Sequence, residues 1–219
     1  MKTPVLGALA AASLGTGTGV LASGSPWEDY RPVVFPVCYD FTCKTREVVR
    51  LSRTQWNSVA ELFRYAPQSP HEERIAIQKA VGRMEQVTGF HTPTHRDLSR
   101  NYTGEDDALA GLSGQMDCVD ESLNTTTYLE IFEQRGLLTH HRVVDRAYRR
   151  ALLNQHWAGQ VEEIASGERY VVDSWFFDNG QLPYVLHSDE WHDISPFRRA
   201  RRSDQRGDRD ARVAANRGR

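Results

Sequence analysis

Three side chains of this 219-residue chain combine into a recognisable chemistry: Cys118, His156 and Asp173. Cys118 lies in Gln115-Met116-Asp117-Cys118-Val119-Asp120-Glu121, at the expected start of a helix. A helix N-terminus favours a thiolate through its dipole and its free N–H groups. The neighbouring acids Asp117, Asp120 and Glu121 oppose that charge, and a nearby imidazolium would offset them. His156 opens one expected strand and Asp173 lies near the middle of the next. With a turn near Ser166-Gly167, His156 faces about position 176 to 178, so His156 and Asp173 are diagonal neighbours across a hairpin. A carboxylate there can hold one imidazole nitrogen and leave the other for a thiol. Each residue alone has an ordinary reading, a buried Cys or a hydrogen-bonded polar group on a strand. The ordered set, with Cys at a helix start, His at a strand start and Asp on the next strand, points to nucleophilic attack on a carbonyl.

Other residues near this set admit two readings. Gln115 could donate its amide to an oxyanion together with the Cys118 N–H, or could simply fill a loop. Asp117, Asp120 and Glu121 form an oxygen-rich cluster able to ligate calcium, and helix capping accounts for the same residues. Trp157 and Trp175 are expected to pack the core and keep the site dry. Cys38 and Cys43 flank a turn, either as a disulfide or as two separate thiols, with too few nearby ligands for zinc. The pair His91 and His95 is interrupted by Pro93, which argues for loop histidines over a metal site.

The elements that would position these residues follow from periodicity and capping. Val33-Val34-Phe35 and Val48-Val49-Arg50-Leu51 read as two strands of a hairpin. Ser52-Arg53-Thr54-Gln55 is a capping box opening a helix that runs to about Tyr65. Ser69-Pro70-His71-Glu72 opens a second helix ending at Gly89. Residues 101–114 read as a loop, and a helix of about 18 residues runs from Cys118 to Gly136 with Asp117 as N-cap. Three strands follow, at 138–148, 156–164 and 169–176, connected as an antiparallel meander and closed by the turn Asp178-Asn179-Gly180.

The ends differ from this body. Lys2, the apolar stretch Val5 to Leu14 and the small-residue sequence Val20-Leu21-Ala22 have the layout of a signal peptide over 1–22, which implies a periplasmic or secreted protein. Residues 198–219 hold nine Arg and three Asp, a net of +6 that leaves −8 on residues 1–197. This tail is too polar to order itself and is expected to be disordered, able to touch an anionic surface. Nucleic acid is not an expected partner of an exported chain. Between the ends, residues 23–197 read as one domain with its core at about 112–180. Aromatic residues make up 10% of the chain, too many for a disordered polypeptide, and no apolar run is long enough for an internal membrane span.

The stretch Gly114 to Glu121, then His156-Trp157, then Tyr170-Val171-Val172-Asp173-Ser174-Trp175 resembles the transglutaminase-like superfamily, and within it the bacterial transglutaminase-like cysteine proteinases. The likeness covers about residues 112–180. It implies an α+β, papain-like fold with the Cys-bearing helix packed on an antiparallel sheet. It also implies Cys118 as nucleophile, His156 as base and Asp173 as orienter, acting as a protease or amidase on a peptide or protein substrate. No cofactor is required by that chemistry, and some members of the resembled group hold Ca²⁺ with acids beside the Cys. A monomer is expected. The family also contains inactive members, so a catalytically inactive envelope binding protein on the same scaffold is the second expectation.

Overall fold

The structure is a computed structural model that describes residues 31–101, 111–151 and 154–193. The expected signal peptide and the Arg-rich tail lie outside the described residues. Within them the chain is α+β, with helices packed among two antiparallel sheets.

The first sheet is a hairpin, β1 (Val33–Tyr39) and β2 (Thr45–Leu51), paired from Val33↔Leu51 to Tyr39↔Thr45. Val33, Phe35, Val37, Val49 and Leu51 alternate inward into the core, as a half-buried hairpin requires. Helix α1 (Arg53–Ala60) follows, and Ser52 and Gln55 complete its capping box. Helix α2 (Pro70–Thr88) starts with Ser69 accepting from the Glu72 N–H and Pro70 in the first turn. Gly89 caps it in a helical conformation; a Cβ there would approach the Cβ of His95 to 3.0 Å. His91 and His95 are exposed and bonded to Gln55 and to the Thr92 carbonyl.

Helix α3 (Cys118–Gln134) contacts both sheets and α2. The larger sheet has the strands β3 (His141–Val143), β4 (Ala147–Ala151), β5 (Asn154–Glu163), β6 (Arg169–Asp173) and β7 (Tyr184–His187). Strand β5 pairs with β6 and also with β3 and β4, and β7 pairs with β6. The single strand expected over 138–148 is therefore two. His141 pairs with Glu163 while Ala147 pairs with Ala158, so the register slips by one residue and a bulge separates β3 from β4. The third expected strand stops at Asp173, short of residue 176. Strand β7 and helix α4 (Ser188–Asp193) were not foreseen.

Helix α3 approaches β5 closely. A Cβ at Gly159 would stand 2.8 Å from the Thr125 methyl, so only glycine allows this contact without a shift. Tyr128, Leu129 and Phe132 join Val161 and Val172 of the sheet in the main core. A smaller apolar cluster holds Ala147, Ala158, Val171 and Trp191. Buried Glu73 ties α2 to the start of β3 by accepting from the backbone N–H groups of Thr139, His140 and His141 and from the His141 ring. Among the described residues no helix is long and apolar enough to cross a membrane.

Candidate active site

The approach to Cys118 is fixed residue by residue. Gly114 has φ +98, and a Cβ there would fall 2.1 Å from the Pro93 carbonyl oxygen, so glycine is required on both counts. Its N–H donates to Asp40 Oδ1 at 2.8 Å, and Asp40 N–H donates to the Gln115 carbonyl at 2.8 Å. Met116 N–H donates to Asp97 Oδ1 at 2.6 Å. Asp117 is the N-cap of α3: its Oδ1 accepts from Val119 and Asp120 N–H, and Asp120 Oδ2 accepts from the Asp117 N–H. That reciprocal pair is a capping box built from two aspartates. It leaves Cys118, the first helical residue, with no described acceptor on its N–H.

A second segment braces the same helix end. Cys38 and Cys43 form a disulfide, and Cys118 is the free, half-buried cysteine. Asp40, Phe41, Thr42 and Cys43 have φ of 66°, 66°, 53° and 56°, four non-glycine residues in the left-handed region. That turn aims the Thr42 N–H at Asp117 Oδ2 and the Cys43 N–H at Asp120 Oδ1. Asn124, two turns into α3, both donates to the Cys38 carbonyl and accepts from its N–H at 2.8 Å.

On the sheet, His156 Nε2 lies 2.7 Å from Asp173 Oδ2, both residues buried. The β5–β6 ladder runs from Glu162↔Arg169 to Gly159↔Val172. Carried on, that register sets His156 opposite Trp175, one residue nearer than the expected facing positions, with Asp173 on the diagonal. Nε2 being taken by Asp173, Nδ1 is the ring nitrogen left for a thiol. Burial works against the charged ring, but the charge and hydrogen bond of Asp173, reinforced by a hydrogen bond and charge from Cys118, push His156 up to about 9. Both nitrogens are then donors at neutral pH. The Cys118 Sγ also lies 3.9 Å from the Gln155 carbonyl.

Aromatic rings enclose the imidazole. Trp175 stands 4.8 Å from it, Phe176 5.5 Å, and Trp191 stacks at 5.6 Å with an interplanar angle of 27°. Trp175 thus keeps its expected place. Trp157 does not: it is half-buried, 4.5 Å from Tyr148 with the Arg146 guanidinium over its ring. Trp191 was missed. It donates its indole N–H to Asp173 Oδ2 at 2.7 Å, and its only sequence signal was a single aromatic within a short polar stretch, Asp189-Glu190-Trp191-His192-Asp193.

The remaining expected site residues are structurally engaged. Gln115 is fully buried; its amide nitrogen donates to the Arg96 carbonyl and its oxygen accepts from Leu98 N–H and Asn101 Nδ2. These bonds make the side chain a strut under the Cys118 approach. Asp117 and Asp120 are spent on capping and on the 42–43 turn. Glu121 is buried, with its Oε1 unpartnered among the described residues. Among those residues no group of three or more acids, histidines or cysteines is arranged to hold a metal ion. Burial first, then Asp117, push Asp120 up to about 7, and burial with Glu85, Asp97 and Asp120 raises Glu121 well above the usual carboxylate range.

Comparison with family models, with curated proteins and with solved structures gives no match for this chain.

Proposed function

We propose that this chain is a transglutaminase-like cysteine hydrolase with a papain-like arrangement, acting on an amide bond by acyl transfer through Cys118, His156 and Asp173. The observation that carries this reading is the buried His156–Asp173 pair on the sheet, against which packs the helix that begins with the free cysteine, its Sγ 3.9 Å from the carbonyl of Gln155, the residue before His156. The Cys118 thiolate attacks the carbonyl carbon of a peptide or protein substrate. The Cys118 N–H, at the first helical position, is the donor assigned to the developing oxyanion. The protonated His156 Nδ1 gives its proton to the leaving amine, and an acyl-enzyme forms. Water then attacks, His156 takes up its proton, and the acid is released as the thiolate and imidazolium are restored. Asp173 holds the ring throughout, and Trp175, Phe176 and Trp191 keep water from competing for its charge.

The Cys38–Cys43 disulfide supports a periplasmic or secreted location, where such bonds persist. Monomeric action and contact of the Arg-rich tail with an anionic surface belong to the same proposal. Calcium beside Cys118 would have to draw on Glu121, the one flanking acid with an unpartnered oxygen. The alternative, an inactive scaffold that binds a partner, predicts no covalent intermediate. The two separate with p-nitrophenyl acetate, a small activated ester that needs no substrate pocket. Catalysis predicts a burst of nitrophenol equal to the protein present, an acetyl group on the Cys118 peptide by mass spectrometry, and loss of both in Cys118→Ala. A Cys118 peptide that stays unmodified contradicts the reading.

A further inference from the structure

Asp173 Oδ2 accepts two hydrogen bonds, both at 2.7 Å: one from His156 and one from the Trp191 indole. An indole has one donor and no acceptor, so its geometry fixes one direction of approach. Rotating the Asp173 carboxylate would break both bonds together. Trp191 itself is held from several sides. Helix α4 follows β7 without an intervening loop, and β7 pairs Tyr184 with Asp173, which folds α4 back toward the carboxylate. Arg149, in register opposite His156 on β4, donates Nη1 to the Trp191 carbonyl at 2.6 Å and sets its guanidinium 4.5 Å above the indole. Ala147, Ala158 and Val171 complete the packing, and Trp191 is wholly buried.

A buried tryptophan often just fills space and satisfies its N–H on the nearest carbonyl. Here the acceptor is the same oxygen that orients the imidazole, and the indole also stacks on that imidazole. We propose that Trp191, pinned by Arg149, is a positioning residue for the Cys118–His156–Asp173 set: it locks the Asp173 carboxylate and the His156 ring into one geometry. The inference rests on the proposed reading of that set. It makes the last described helix part of the catalytic apparatus.

The test is the titration of the His156 ring, followed by NMR in protein with ¹³C-labelled histidine. The ring senses Asp173 from β6, Cys118 from α3 and Arg149 from β4, and Glu121 of α3 acts on Asp173 in turn. Wild type should titrate at about 9. Asp173→Asn should fall to about 6.5 or below, the ordinary histidine value. Trp191→Phe keeps an aromatic stack but loses the donor. It should lower the midpoint by about one unit, a roughly tenfold weakening of the ring's charge pairing. A Trp191→Phe midpoint equal to wild type, with Asp173→Asn lowered, overturns the positioning role and leaves the catalytic set standing. If Asp173→Asn also titrates as wild type, the catalytic reading itself has failed. Should Trp191→Phe not fold, the wild-type indole N–H resonance decides: it should shift with the same midpoint as the His156 ring, and an indole signal indifferent to that titration overturns the proposal.

Discussion

Asp173 is a buried carboxylate whose charge is met by one imidazolium and one indole N–H. Such a group is expensive to leave unpaired and useful when paired, because its field acts on the ring without competition from water. The folded His156 holds its proton up to about 9, above the ordinary value of 6.5. Its stabilising contribution is therefore complete below pH 6.5 and is lost as pH rises through 9. The pair should contribute on the order of 2–3 kcal/mol at the acid end of that window. Urea unfolding at pH 6 and at pH 9.5 should show this loss in wild type, and Asp173→Asn should flatten it while lowering acyl transfer by roughly 10²–10⁴-fold. A variant that kept the full pH dependence would place the interaction elsewhere. The sequence made the His156–Asp173 neighbourhood legible because strand order and turn position suffice to set two residues diagonally across a hairpin. Trp191 was illegible because its partner is set by how β7 and α4 fold back, a long-range outcome with no local pattern. Gln115 shows another limit: a glutamine three residues from a cysteine suggests a donor, and only the buried loop at 96–101 reveals the bonds its amide makes.

At the scale of elements, the N-terminus of α3 is built from two directions. Its own capping box uses Asp117 and Asp120, and the 38–43 turn adds two more N–H groups onto the same carboxylates. Four consecutive left-handed residues without glycine cost about 1–2 kcal/mol each, so the turn persists only while its ends are held. The disulfide and the α3 carboxylates hold it together. Cys38→Ser with Cys43→Ser should lower stability by about 2 kcal/mol, read as a fall in the denaturant midpoint. It should also speed hydrogen exchange at the Thr42 and Val119 amides, which share Asp117 as acceptor. Unchanged exchange at Val119 would show that the cap needs no bracing. Capping signals located the starts of α1, α2 and α3 within a residue or two, since Ser52, Ser69 and Asp117 act locally, whereas α1 ends at Ala60, short of the expected Tyr65. The bulge between β3 and β4 was hidden because a one-residue slip depends on the partner strand. Strand β7 was hidden because four half-buried residues give no clear alternation.

The molecule as a whole encloses several acids around the start of α3: Glu85 on α2, Asp97 in the adjoining loop, Asp120 and Glu121 on α3. Burial pushes Glu85 up to about 7, against hydrogen bonds from Ser174 and the Gly180 N–H, and raises Asp97 well above its ordinary range. An acid raised in the fold stabilises fully below its unfolded value, near pH 4.5 for Glu85, and that stability is lost as pH rises through about 7. The melting temperature should accordingly be higher at pH 5 than at pH 8, with Glu85→Gln reducing the difference. A Glu85→Gln protein with the wild-type dependence would assign the effect to other groups. In the proposed reading, His156 carries its charge close to Cys118 and so stabilises the thiolate that attacks the substrate. That coupling is the central claim, and the alkylation rate of Cys118 by iodoacetamide at pH 7 measures it directly, with no substrate required. The native thiol should react faster than the same thiol in urea-unfolded protein, and about tenfold or more faster than in folded His156→Gln. A native rate equal to that of His156→Gln, or below that of the unfolded chain, would contradict a thiolate–imidazolium pair at this site.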